Sequence, residues 1–289
     1  MSASSSPSSS SSNPVRIDRP QVRSSRFVFA SPHSGRDYTA DFLARAALPV
    51  SLLRRSEDAY LDQLFEAVPR YGASLVAATF PRAFVDPNRA RWELDPAMFD
   101  RRLPSEAGPV TARAAAGLGV VPRLAADGRA IYAGRISLDE ALERVRRHYD
   151  PYHAALKQEI AIVRDQFGEA VVIDCHSMPS GSARGADIVL GDRFGVSCAP
   201  GLVEHAEQAF RRVGLGVVRN RPYAGGYTTE YYGRPDAGVH VLQVEINRAL
   251  YLDESRVERS AKWPRLAAAL DKWAQDIMSY GEATRAAAE

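Results

Sequence analysis

Val171-Val172-Ile173-Asp174-Cys175-His176-Ser177-Met178 is the stretch on which the reading of this chain turns. A short β-branched run ending in polar side chains predicts a buried strand that delivers its last residues to the rim of a sheet. Asp174 and His176, two apart, project from one face of such a strand and Cys175 from the other. A carboxylate beside an imidazole fixes its tautomer, and a histidine so oriented is a good zinc ligand. Taken alone, an Asp-x-His pair is more often a satisfied core or edge histidine, so the reading depends on what else the chain brings to that rim.

Working outward, Phe27–Ala30 reads as a second strand, broken by Ser31-Pro32-His33-Ser34-Gly35, which holds His33 in a tight turn. Leu52, Leu53, Tyr60, Leu61, Leu64 and Phe65 recur with helical spacing and predict a helix over Ser51–Val68. Asp58 and Asp62 share a face of it, although carboxylates on a helix are usually a solvated surface. Ser74–Phe80 is a third strand, leading into a turn at Pro87-Asn88-Arg89. There an amide beside a guanidinium could hold a carboxylate, or could be ordinary Asx-turn chemistry. From Arg91 to Gly134 periodicity dissolves, which predicts a loop-rich excursion packed on the main domain.

Ser137–Phe167 predicts a long helix, with Ser137 and Glu140 as a capping box and Pro151 as a kink or division. His148 and His153 on it are five apart, off the spacing of a helical metal pair, and read as structural or surface residues. After the central strand come a Gly/Ser loop carrying Arg184, a strand over Asp187–Leu190 and a helix over Leu202–Val213. Pro222-Tyr223-Ala224-Gly225-Gly226-Tyr227 follows, either a mobile cover or a plain surface loop. Val239–Val244 is a last strong strand, from which Glu245 emerges beside Asn247 and Arg248. An isolated glutamate at a strand end is more often an ion-pair partner than a catalyst. About Ser255 to Ala287 reads as a closing helix. Strands alternating with helices predict a three-layer α/β/α domain with a mixed twisted sheet.

Composition narrows the class further. With 289 residues, 45% hydrophobic and 25% charged, the chain can bury a sizeable core. Thirty-seven basic against 35 acidic residues leave a net charge of +2, which gives no sign of a nucleic-acid or membrane-surface partner. Two cysteines make no disulfide framework, so a cytoplasmic setting is expected. The Ser/Pro tract from Met1 to about Pro14 lacks aliphatic residues and predicts a disordered tail, drawn here to residue 20. A single domain over 21–287 follows, its packing expected to start near Arg26.

Four ordered motifs resemble the N-formylglutamate amidohydrolase (deformylase) family: Ser31–Gly35, Asp174–Ser180, Pro222–Tyr227 and Glu245–Tyr251. The resemblance implies a metal-dependent amidase with a fold like that of the zinc carboxypeptidases (phosphorylase/hydrolase-like). One zinc ion per chain would be held by His33, Asp58 and His176, with a fourth position left for water. Zinc carboxypeptidases place the acidic ligand three residues after the first histidine, where this chain has Arg36 and then Asp37. The acid must therefore come from elsewhere, and Asp58 is chosen with Glu57 and Asp37 behind it. In this picture Glu245 takes the water proton and later delivers one to the leaving amine. Asn88 and Arg89 hold the carboxylate of a small-molecule substrate. Arg184 and Arg248 are candidates for a second carboxylate, with a structural ion pair as the alternative for each. N-formyl-L-glutamate is the substrate the family implies; other N-acyl amino acids or short peptides, and a non-catalytic binding protein, remain as alternatives. Oligomeric state is left open.

Overall fold

Along the central strand the side chains divide between two cores, as a period of two requires. In the computed structural model of the protein, which describes residues 13–281, Val171, Ile173 and Cys175 pack with Phe27, Phe29, Leu242 and Val244 on one side of the sheet. Val172 packs with Val28, Ala30 and Val241 on the other. The strands are β1 (Val15–Asp18), β2 (Phe27–Ser31), β3 (Ser74–Ala78), β4 (Ala170–Met178), β5 (Ile188–Gly191), β6 (Val217–Arg219) and β7 (Val239–Asn247). They form one mixed sheet in the order β1-β3-β2-β4-β7-β5-β6. β3, β2, β4 and β7 run parallel, whereas β1 and β5 lie antiparallel to β3 and β7. A separate ribbon pairs β8 (Leu252–Asp253) with β9 (Glu258–Arg259).

The helices are α1 (Ala40–Arg45), α2 (Val50–Leu53), α3 (Leu61–Leu64), α4 (Ala112–Ala115), α5 (Leu138–Arg144), α6 (Asp150–Phe167), α7 (Pro200–Arg212), α8 (Tyr227–Tyr232) and α9 (Trp263–Met278). Residues of α5 and α6 and of the 91–134 excursion cover one face of the sheet. α3, α7 and α9 cover the other, where Trp273 stacks on Phe210 at 4.3 Å between ring centroids. The expected three-layer α/β/α architecture is present. No helix of the described residues is long and apolar enough to cross a membrane.

Four local expectations are corrected. The tail was drawn to residue 20, but Val15–Asp18 is a strand whose Val15 is buried and whose ladder closes the edge of β3. Only two apolar residues alternate there, too few to register beside a serine tract; residues 1–12 lie outside the described residues. The Ser51–Val68 helix is instead α2, a 3-10 turn and α3, separated by Glu57–Tyr60, with Tyr60 left-handed at φ 62°. The chain leaves the helix because Glu57 and Asp58 are both buried and must find partners. Ser137 caps α5 without a side-chain bond. Asp100 Oδ1 accepts from the Leu138 N–H instead, while Glu140 pairs with Arg45 and Arg144. Between α5 and α6 a π-helical turn over Val145–Tyr149 absorbs the approach to Pro151. The closing helix begins at Trp263, since the preceding residues make the β8–β9 ribbon.

Candidate active site

The parallel strands deliver their C-terminal ends to one cavity of about 580 Å³. Beyond β2, Pro32 turns the chain so that the buried His33 faces inward. Gly35 closes that turn where a Cβ would sit 2.1 Å from the Phe80 carbonyl oxygen, so the turn is pressed against the end of β3. The Asp58 N–H donates to His33 O at 3.0 Å, which explains why the backbone abandons helix here: it docks Asp58 beside the histidine. His176 is near the end of β4, and Glu245 is its register partner on β7.

Three ligand atoms meet. His176 Nδ1 lies 3.1 Å from His33 Nδ1 and 3.1 Å from Asp58 Oδ2, and His33 Nδ1 lies 3.3 Å from the same oxygen. Donors about 2.0–2.1 Å from a tetrahedral ion are separated by about 3.3 Å, so this triangle has the right size for one. Asp86 Oδ1 is 2.7 Å from His33 Nε2. A carboxylate only accepts, so the His33 proton sits on Nε2 and the Nδ1 lone pair points into the triangle. Asp58 Oδ2 is also an acceptor. The centre therefore demands either a proton on His176 Nδ1 or a metal ion to bridge the facing acceptors. Accordingly, although burial lowers it, His176 is raised well above the usual histidine range by Asp174 and Asp58. Burial by itself would raise Asp58, yet its bonds to His176 and His33 hold it well below the carboxylate range. The donor set, two imidazole nitrogens and a carboxylate oxygen, suits zinc.

The outer partners are charged as well. Asp58 Oδ1 accepts from Arg248 Nη2 at 3.0 Å and from Ser177 Oγ at 3.2 Å, leaving Oδ2 for the triangle. Arg82 donates to Asp86 Oδ2 at 2.8 Å. Arg82 and His33 hold Asp86 well below its ordinary pKa against the effect of burial. Asp174 Oδ2 is 3.0 Å from His176 Nε2 but is not aligned for a hydrogen bond, so the attraction is one of charge. Glu245 Oε1 accepts from Gln243 Nε2 at 3.0 Å, and Oε2 makes no hydrogen bond among the described residues. Burial, with Asp58 adding to it, pushes Glu245 up to about 7 while His176, Arg82 and Arg248 oppose. A carboxyl group poised there is suited to accept and return a proton near neutrality.

The N-formylglutamate amidohydrolase family matches residues 25–252, a span that contains every group just described. The chain belongs to this family. It is 31% identical over 205 residues to an N-formylglutamate deformylase of Pseudomonas aeruginosa, covering 68% of this chain and 71% of that protein. Against a deformylase of Pseudomonas putida it is 28% identical over 239 residues, covering 79% and 82%. The crystal structure of an N-formylglutamate amidohydrolase from Ralstonia eutropha superposes with a TM-score of 0.88 at 35% identity, covering 94% of this chain and 99% of that one.

Not every residue expected at the site of this amidohydrolase stands where the sequence reading put it. Of the three candidate acids, Asp58 joins the histidines. Glu57 instead accepts from Tyr38 Oη at 2.7 Å and from Arg54, and Asp37 is exposed. Arg89 lines the cavity. Its neighbour Asn88 does so with its amide already engaged: Oδ1 accepts from the Thr228 N–H at 2.8 Å and Nδ2 lies 3.2 Å from His176 Nε2. Asn88 thus ties the Gly225–Gly226 loop to His176, which leaves one Nδ2 proton uncommitted. Arg248 is the structural ion pair weighed as its alternative, its three nitrogens spent on Ser177 Oγ, Arg55 O and Asp58. Arg184 is exposed and off the cavity wall, because Ala183 and Ala186 tuck into a small core with Met178 and Val189 and turn it outward. His153 is buried and structural as expected, accepting from Tyr232 Oη and donating to Pro87 O to fix the turn before Asn88. The sequence reading passed over Asp86, Arg82, Gln243 and Arg113. Only Asp86, four residues after an arginine and just before the Pro-Asn turn, carried a local signal.

Proposed function

We propose that this hydrolase releases formate from an N-formyl amino acid, N-formyl-L-glutamate above others, with one zinc ion held by His33 Nδ1, His176 Nδ1 and Asp58 Oδ2. The convergence of those three atoms in a cavity that also holds Glu245 carries the reading. When bound, the metal supplies Lewis-acid polarisation of the formyl carbonyl and a lowered pKa for water. Asp86 keeps the proton of His33 on Nε2, and Arg248 keeps Asp58 turned toward the histidines. Glu245 Oε2 accepts a proton from the attacking water. As the C–N bond breaks, it returns that proton to the amine nitrogen, giving formate and the free amino acid. Arg89 binds and positions a substrate carboxylate through Nη2, because Nε and Nη1 are committed to Leu118 O and Asn88 O.

The reading is tested by metal analysis together with formate release from a panel of N-formyl amino acids. One zinc per chain is expected in the wild type. His33→Ala and His176→Ala should each lose it while far-UV circular dichroism is unchanged, and turnover should fall with the metal. Full turnover in the chelated protein would defeat the proposal.

A further inference from the structure

The cavity carries four guanidinium groups, and their commitments differ. Arg82 is spent on Asp86 and Arg248 on Asp58. Arg89 is anchored by two carbonyls with its Nη2 3.9 Å from Asp86 Oδ2. Arg113, on α4 of the loop-rich excursion, lines the cavity and is exposed, and its guanidinium makes no hydrogen bond or ion pair among the described residues. It is nonetheless firmly placed. The Leu118 N–H donates to Arg113 O at 2.9 Å, and Leu118 O accepts from Arg89 Nε at 2.8 Å, so one residue, Leu118, links the backbone of Arg113 to the Arg89 side chain. Thr111 caps α4 and also donates to Glu93 Oε1. Burial, with the charges of Arg82 and then Arg113 adding to it, lowers the Arg89 pKa against the pull of Asp86 and Glu93, so Arg89 and Arg113 repel. An anion between them would relieve that repulsion.

We infer that Arg113 is a specificity-determining residue that reads a second, distal carboxylate of the substrate. The inference rests on the proposed deformylation for the identity of the ligand. Contacts around the cavity give the order. Asn88 touches His176, so Arg89 beside it serves the carboxylate next to the scissile amide, while Arg113 is reached from there through Leu118. A substrate with a second carboxylate at the end of its side chain presents a charge to each. Leu118, Pro122 and Leu124 from the same excursion supply apolar wall for the intervening methylenes.

The experiment compares N-formyl-L-glutamate with its neutral isostere N-formyl-L-glutamine in the wild type, Arg113→Ala and Arg113→Lys, and measures binding of L-glutamate and L-glutamine by calorimetry. A charge-assisted hydrogen bond is worth about a tenfold to hundredfold factor, so Arg113→Ala should lower kcat/KM for the glutamate substrate by roughly that much. The glutamine substrate should change less than about threefold, with lysine restoring part of the preference. L-Glutamate affinity should drop in parallel while L-glutamine affinity holds. An equal loss on both substrates, or no loss on either, would overturn the assignment. If the wild type released no formate yet bound L-glutamate in an Arg113-dependent way, the deformylase reading would fail and the anion subsite would stand.

Discussion

The free lone pair of His33 is aimed by the company that its far nitrogen keeps. Asp86 at 2.7 Å from His33 Nε2 decides where the ring proton resides, and with it where the lone pair points. Glu245 is set apart from the other site carboxylates by what it lacks: Asp58 and Asp86 each meet an arginine, whereas Glu245 meets only an amide and stays high, at about 7. A base must be ionised to act, so activity is lost as the pH falls through its pKa. We expect kcat/KM to fall on the acid side with a midpoint at or below about 7, since a bound dication would lower Glu245 further. Glu245→Gln should keep its metal, lower kcat by roughly a hundredfold or more, and lose that acid limb. Near-normal turnover would remove Glu245 from the mechanism. These residues were legible in part. Strand ends announced His33, His176 and Glu245, but nothing local distinguishes a free arginine such as Arg113 from a spent one such as Arg248.

At the scale of elements, the loop before α8 is tied to the His33–Asp58–His176 triangle through a single side chain. A Cβ at Gly226 would stand 2.4 Å from Asn88 Nδ2 and 2.7 Å from Oδ1, and Asn88 cannot yield, because Thr228 and the His153-pinned Pro87 carbonyl hold it. Gly226→Ala should therefore displace either the loop or the amide facing His176, lowering kcat/KM by about tenfold or more through misplacement alone. The thermal midpoint should move by only a few degrees. Unchanged kinetics would show that the loop and the histidine are not coupled. The paired glycines were visible in the sequence as a candidate cover. Their tight contact was not, because Asn88 and Gly226 are 138 positions apart and meet only when α8 packs beside β7.

For the molecule as a whole, the first described residues belong to the fold. β1 covers the edge of β3, Arg16 reaches Asp62, and Arg19 joins Arg23 and Ser74 on the fully buried Glu159. A chain beginning at Val22 should be destabilised by roughly 2 kcal/mol or more, and its bared β3 edge should promote association. An unchanged denaturant midpoint would show that β1 adds nothing. What the sequence determined unaided was the set of strong strands and the chemistry at their ends, because a buried parallel strand writes itself as a β-branched run and its exit as a change to polar residues. Asp58 could be proposed but not distinguished from Glu57. That choice belongs to the tertiary structure, in which Tyr38 and Arg54 capture one acid while the backbone of His33 docks the other. Which charges are paired and which remain free for a ligand is likewise settled only when distant segments close on one cavity, since the energy of a buried charge depends on the neighbours that replace its water.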